Sequence, residues 1–579
     1  MIHRSVWAPF AAAVDLVAGR ERLAMTRGDG GWWRADLPPH LEFLDYAFSL
    51  DGAAPVPDPR SPFQPAGVHG FSRPIDHATF NWTDSRWRQP PLSSALIYEL
   101  HVGTFTRGGT FDSVIDRLGY LAKLGVTHVE LMPVAEFPGD RGWGYDGVNL
   151  FAPHHHYGGP EALKRLVDAC HARGLAVILD VVYNHFGPDG NYLPRFGPYL
   201  TDRYRTPWGS AVNLDDAESV EVRRFFCDNA LGWLRDYHID GLRLDAVHAI
   251  FDAAAIHFLE QLAAEVKALE ASLGRPLILI AESDLNQPRI VTPIEAGGYG
   301  LHAQWNDDFH HALHALVTGE RAGYYADFGS LADLAHAITA VFVYDGRFSP
   351  YRRRIHGRPV RRLSGDRFVC CMQNHDQIGN RAKGDRLGHI IDEDLLKIAA
   401  ALMLTAPFVP MLFQGEEWNA SSRFPYFTDH SDPNLAEAIR EGRRREFAGL
   451  VKDPSVIPDP QSPETFASAR LDWSEAEREP HRAILEWYRA LIRLRRSIAD
   501  LSDGRLNRTL VRFVESARWF AVRRGDSLVV CNLAEQPRSV PVDLPSGNPR
   551  IRLASKDGIR IGANAIEMPP RAVAILTLA

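Results

Sequence analysis

The chain has 579 residues, of which 45% are hydrophobic and 23% charged, and a net charge of -8 at neutral pH. Such a length exceeds one ordinary core and points to about two to four domains of a soluble globular protein. The charge is modest for the size and argues against nucleic acid or an acidic membrane surface as the main partner.

The amino terminus, MIHRSVWAPFAAAVDLVAGR, is a poor signal peptide because Asp15 interrupts its apolar run. No window offers the ~18 apolar residues of a membrane span, so a cytoplasmic protein is expected. Residues 1–90 are rich in Trp, Pro and Gly and carry short alternating segments such as YAFSLDG, the pattern of a small β-sandwich. From 91 to 500, strands alternate with helices. The strands are ALIYELHVGTF, VTHVELMPV, LAVILDVVYN, GLRLDAV, PLILIAES, LHAQWND, RFVCCMQNHD and PFVPMLFQGEE. Between them lie helical stretches such as FDSVIDRLGYLAKLG, PEALKRLVDACHARG and VRRFFCDNALGWLRDYH, and a long insert covers about 186–215. Apolar strands that alternate with helices imply a parallel sheet, and eight such units imply an α/β chain built on a (β/α)8 TIM barrel. From 501 to 579 the strands shorten and long helices stop, which predicts a second β-sandwich. The five cysteines, Cys170, Cys227, Cys370, Cys371 and Cys531, form no C-x-x-C pair and read as buried thiols.

The strand GLRLDAV poses the chemical question. Side chains alternate faces along a strand, so Arg243 and Asp245 share one face, at the carboxy end where barrel enzymes keep their chemistry. A neighbouring Arg favours the ionised carboxylate that a nucleophile needs. Other strands close in the same way, LILIAES on Glu282, CCMQNHDQIGN on His375 and Asp376, and ILDVVYNH on Asp180, Asn184 and His185. The apolar run before Glu282 predicts a raised pKa and a role as an acid. Carboxylates that converge with His and Arg suit glycosidic chemistry.

The segments DVVYNH, GLRLDAVH, IAES and QNHDQIGN resemble, in order, the four signature segments of the α-amylase superfamily. The flanking LMPVAEFPGDRGWGYDG, RFGPYLTDRYRTPWG, QWNDDFHHALH and MLFQGEEWNASSRFPYFTDH resemble a branch of it that hydrolyses the α-1,4 bond beside the trehalose end of maltooligosyl trehalose. The resemblance implies that Asp245 is the nucleophile, Glu282 the general acid and base, and Asp376 the carboxylate that orients the sugar. It further implies that Arg243, His185, His375 and Tyr145 hold the sugar at the cleavage point. Asp307, Asp308, Phe309, His310 and His311 would line the far side, and His248, Gln377 and Asn380 would be neighbours. The loops NDDFHH and GEEWNASSRFPYF, the latter around Trp418 and Phe424, are expected to form the wall around trehalose. A synthase that isomerises the reducing end of a maltooligosaccharide is the functional partner the branch implies.

Other readings are weaker. A branching or debranching enzyme of the same superfamily would share all four segments. A glycan-binding protein without catalysis would have no need of three intact carboxylates. No cofactor and no metal ion are expected. Adjacent His154, His155 and His156 seldom converge on one ion, and His310 and His314 lack the Glu of an H-E-x-x-H motif. Asn184 stands where many amylases bind calcium, but the branch resembled does not depend on that ion.

Overall fold

The computed structural model describes residues 3–449, 451, 453–543 and 549–578. Eight parallel strands close a barrel: β1 (Ile97–Leu100), β2 (His128–Leu131), β3 (Ala176–Val181), β4 (Gly241–Leu244), β5 (Ile278–Ala281), β6 (Ala303–Trp305), β7 (Phe368–Cys371) and β8 (Val409–Phe413). Neighbours in the barrel follow chain order, and β8 returns to pair with β1. All eight fall within the segments that the sequence marks as strands.

Alternation along the strands separates two environments. Leu242, Leu244, Leu279 and Ala281 join the large core shared with the helices, while Ile278, Ile280, Ala303, Trp305, Val369 and Met411 form a separate cluster inside the barrel. The helices Gly159–His171, Ser219–Asp236 and Phe258–Leu273 cover the sheet from outside. The stretch over 111–125 is two helices, Phe111–Ile115 and Leu118–Leu124. The chain tightens between them, with Arg117 N donating to Val114 O at 2.9 Å, so the spacing continues while the helix does not.

Two antiparallel three-stranded sheets precede the barrel, one built from His3–Trp7, Trp32–Asp36 and Thr26–Arg27, the other from Val14–Ala18, Glu21–Ala24 and Tyr46–Leu50. After the barrel, a five-stranded sheet faces a three-stranded one, and Val540, Ile566, Met568, Ala574 and Leu576 pack between them. The insert after β3 contains the hairpin Leu200–Thr206 and Gly209–Val212, with Trp208 at its tip. All five cysteines are buried and free. Among the described residues no helix is long and apolar enough to cross a membrane.

Gly241 opens β4 opposite Ile278 of β5. A Cβ there would lie 2.9 Å from both the Cβ and the carbonyl oxygen of Ile278. Gly241→Ala is therefore expected to cost about 1–3 kcal/mol by overpacking. A clear drop in melting temperature would show this, whereas an unchanged one would mean that β5 yields to the added methyl.

Candidate active site

The barrel ladder runs one residue past the strands. Asp245 N donates to Val181 O and Glu282 N to Leu244 O, both at 3.0 Å, so the two carboxylates emerge side by side at the carboxy rim. Ala246 then turns into the left-handed region at φ +38, a strained conformation for a residue with a Cβ. Its amide donates to Glu282 Oε2 at 2.7 Å, which ties the turn to the neighbouring strand end. After β7, Asn374 caps the short helix His375–Gly379 by accepting from Gln377 N at 2.9 Å. That cap sets Asp376 in the first turn, facing the same opening.

Arg243 lies beneath, with no exposed side-chain surface. Its Nη1 donates to Asp180 Oδ2 at 2.6 Å and to Asp245 Oδ1 at 2.9 Å, and its Nη2 lies 3.0 Å from Glu282 Oε2. The guanidinium sits over the Trp305 ring, 4.1 Å from its centre. Tyr145 donates to the same Asp180 oxygen at 2.6 Å and stacks on His375 at 5.0 Å. His185 contacts the Tyr145 carbonyl through Nε2 at 3.0 Å, and burial pushes its pKa down to about 4.

Two residues that the sequence reading did not single out belong to this arrangement. Glu99 on β1 accepts from His375 N at 3.0 Å and from His375 Nδ1 at 2.5 Å. This leaves the His375 Nε2 edge turned to Asp376 Oδ1, 3.7 Å away. Burial alone would lower the His375 pKa, but the Glu99 and Asp376 carboxylates lift it to about 9. Glu99 is thus a positioning residue. An acidic side chain inside the otherwise apolar strand LIYEL was its signal. The second is Trp208, which stacks on His185 at 4.7 Å and 5° while its own side chain stays exposed. Nothing in the sequence places a hairpin tip over a residue twenty-three positions earlier.

The remaining expected residues divide. Asp307 faces the cluster, since Glu282 and Asp376 add to burial in raising its pKa. Asp308 points into the protein, where its Oδ2 accepts from Val343 N at 2.6 Å, Tyr344 N at 2.8 Å and Asn286 Nδ2 at 2.8 Å. Phe309 is fully buried against Phe408, and His310 is buried with Nε2 3.1 Å from Tyr325 OH. His311 packs among Tyr324, Tyr325 and Phe328. The reason is geometric. These residues lie on the helix Asp307–Thr318, where successive side chains point about 100° apart, so a run of five cannot share one face. His248 follows the Ala246 turn, and its charge helps lower the Glu282 pKa. Gln377 accepts from Tyr324 OH at 3.4 Å, and Asn380 Nδ2 donates to Asp376 Oδ1 at 3.2 Å.

Two further expectations are corrected. Trp418 and Phe424 are fully buried, so they are core and not pocket wall. Trp418 packs on Trp473 at 4.8 Å, and Phe424 stacks on Trp143 at 5.4 Å behind the Tyr145 loop. Second, Glu282 is not raised. Burial pushes it up, but Arg243, the Ala246 amide, His248 and His375 together hold it below its ordinary value. Asp245 moves the other way. Burial lifts it well up, Arg243 opposes, and the charges of Glu282, Asp180 and Asp376 add to the rise. The apolar strand before Glu282 was a true observation, but the cations and the Ala246 amide around the rim together outweigh it.

A closed parallel barrel with three acidic residues around a buried Arg at its carboxy rim defines a glycoside hydrolase of the α-amylase class. The alpha amylase catalytic domain family matches residues 75–205, and a domain of unknown function (DUF3459) matches 504–575. The malto-oligosyltrehalose trehalohydrolase of Arthrobacter ramosus is 53% identical over 93% of this chain and 93% of its own length. That of Rhizobium sp. (strain M-11) is 49% identical over 99% and 97%. A crystal structure of a Salmonella typhimurium protein assigned as an alpha amylase superposes with a TM-score of 0.91 at 36% identity, covering 99% of this chain and 97% of that one. The chain belongs to the malto-oligosyltrehalose trehalohydrolase family.

The His375–Glu99 contact carries a pH signature. With a folded pKa of about 9 against an ordinary 6.5, its stabilisation is complete below about 6.5 and is lost as pH rises through about 9. The melting temperature of the intact chain should fall across that window, and Glu99→Gln should flatten the fall. An equal slope in both proteins would show that the contact does not couple to stability.

Proposed function

We propose that the chain hydrolyses the α-1,4 bond next to the terminal trehalose of maltooligosyl trehalose, releasing trehalose and a maltooligosaccharide with retention at the anomeric carbon. The observation that carries the chemistry is the gathering of Asp245 and Glu282 on the two terminal nitrogens of one buried guanidinium, with Asp376 and His375 opposite. The substrate reading rests on the relatives, whose names state that activity.

In this reading Asp245 attacks the anomeric carbon while Glu282 gives a proton to the departing glycosidic oxygen. Water then releases the glycosyl-enzyme, with Glu282 taking the proton back. Seating the glycosidic oxygen against Glu282 opens the contact with Arg243 Nη2. That weakens the largest opposing influence and shifts the balance towards burial, which raises the carboxyl as an acid requires. Positive charge developing on the sugar meanwhile favours ionised Asp245. Asp376, His185 and Tyr145 fix the ring while Arg243, from beneath, positions Asp245 and Glu282, and the exposed face of Trp208 offers a stacking surface for a further glucose. One guanidinium joining both carboxylates favours the short spacing of retaining enzymes, about 5–5.5 Å. The natural substrate implies a preceding step that turns the reducing end of a maltooligosaccharide into a trehalose unit, in the same compartment, for which we take the cytoplasm.

Glu282→Gln should lower turnover by ~10²–10⁴ with the fold intact, and Asp245→Asn at least as much. NMR should show the newly formed reducing end first as the α anomer. The substrate assignment is tested by comparing maltooligosyl trehalose with the matching maltooligosaccharide. Faster trehalose release supports it, while equal rates or new α-1,6 branches would move the chain to a branching or debranching activity.

Trp208→Ala is expected to raise KM for long substrates several-fold and leave kcat nearly unchanged, because stacking far from the broken bond acts on ground and transition states alike. A loss confined to kcat would instead tie Trp208 to the placement of His185.

A further inference from the structure

Away from the barrel rim, two overlapping groups of metal-ligating side chains meet, Glu136 with His154 and His155, and Asp140 with His155 and His156. Within each group the ligand atoms lie within 4.8 Å of one another. The sequence shows three adjacent histidines and no partner for them. The fold supplies one: Ala135 lies opposite Pro153 in an antiparallel pair, and the next residue, Glu136, accepts from His155 N through Oε2 at 2.9 Å.

The distances suit a small divalent ion. His155 Nδ1 lies 2.7 Å and His154 Nδ1 3.2 Å from the same Glu136 oxygen. Ligands held ~2.0–2.1 Å from a tetrahedral zinc ion are roughly 3.3–3.4 Å apart, so a slight outward adjustment of His155 makes room. His154 gives an independent sign. Its side chain is fully buried, yet neither ring nitrogen has a hydrogen-bond partner. A buried imidazole carries an N–H and a lone pair, and here the 3.2 Å approach of Glu136 to Nδ1 is the one polar contact, off line for a hydrogen bond, which is costly. Phe137 stacks on the ring at 3.8 Å and holds its plane, so that Nδ1 stays turned to Glu136. The Asp140–His156 pair, at 2.5 Å, is exposed and provides a way in from solvent.

We propose that Glu136, His154 and His155 form a binding site for a divalent first-row transition metal of the zinc type, with water as the fourth ligand. Two imidazoles and one carboxylate favour such an ion over calcium or magnesium, which take oxygen ligands. The ion closes the base of the segment 137–148, which carries Trp143 and Tyr145 to the active site. It thereby braces the Tyr145 loop and takes no part in bond cleavage.

The test uses the full chain without a histidine tag, stripped with a chelator and titrated with Zn2+ alone by calorimetry. Co2+ serves as the spectroscopic probe. One equivalent of tightly bound metal is expected, with the visible absorption of a four-coordinate cobalt ion and slower hydrogen exchange over 137–148. Glu136→Gln and His155→Ala should each weaken binding at least about tenfold. His155 has a side chain 20% exposed, so its replacement spares the packing that His154→Ala would disturb. Absence of stoichiometric binding, or unchanged binding in both variants, overturns the proposal.

Discussion

One side chain holds the site to the barrel. Arg243 brings a charge into a space with no exposed surface, at an effective cost of several kcal/mol in lost hydration. That cost is offset by carboxylates from three consecutive strand ends, Asp180 of β3, Asp245 after β4 and Glu282 after β5, and by the Trp305 ring of β6 below. A lysine could not replace it, because a point charge lacks the planar fork that reaches both Asp245 and Glu282. The register of four strands and the placement of two reacting groups therefore depend on the same guanidinium, and a slip of one residue in β4 would turn Arg243 and Asp245 out towards the helices together.

The surroundings of Arg243 hold more acid than base. Glu99, Glu130, Asp180, Asp245, Glu282 and Asp376 influence one another's charge around two cations, Arg243 and His375. They cannot all be ionised in so dry a place. Glu130 on β2 is fully buried and neither of its oxygens has a hydrogen-bond partner; burial, with Glu99 and Asp180 nearby, raises its pKa well up. Asp180, Asp245 and Asp376 are raised as well, whereas Glu282 and, two residues on, Asp284 are lowered. Burial and mutual repulsion thus favour the protonated form of Asp180, Asp245 and Asp376, while Arg243 opposes it at all three and at Glu282.

This explains what the sequence could reveal. Strands wrapped on both faces by apolar neighbours announce themselves as Val/Ile/Leu runs, and all eight were legible. The gathering of Asp245, Glu282, Asp376, Arg243 and His375 at one end of the barrel was legible too, because several apolar strands close on charged residues at the same end. Influences that act across the barrel were not. The Glu282 pKa depends on a cation from another strand, and the role of Glu99 on a histidine 276 residues away. The run NDDFHH misled because it reads as a loop yet folds as a helix, which scatters its side chains. Trp418 misled because a large aromatic after a strand end suits a sugar platform and a core plug equally well, and only packing decides.

The same helix accounts for how the far side of the pocket is shaped. Asp308 offers the substrate nothing directly, but its Oδ2 accepts the amides of Val343 and Tyr344 and so fixes the start of the hairpin Asp345–Ser349 and Arg354–Gly357. That hairpin returns to the rim, where Arg352 pairs with Asp284 at 2.9 Å and His356 Nε2 contacts the Asp284 carbonyl at 2.7 Å, two residues beyond Glu282. Polar groups on the departing side of Glu282 therefore come from Asp307, Asp284 and Arg352, and not from the loop after β8, whose aromatics are committed to the core.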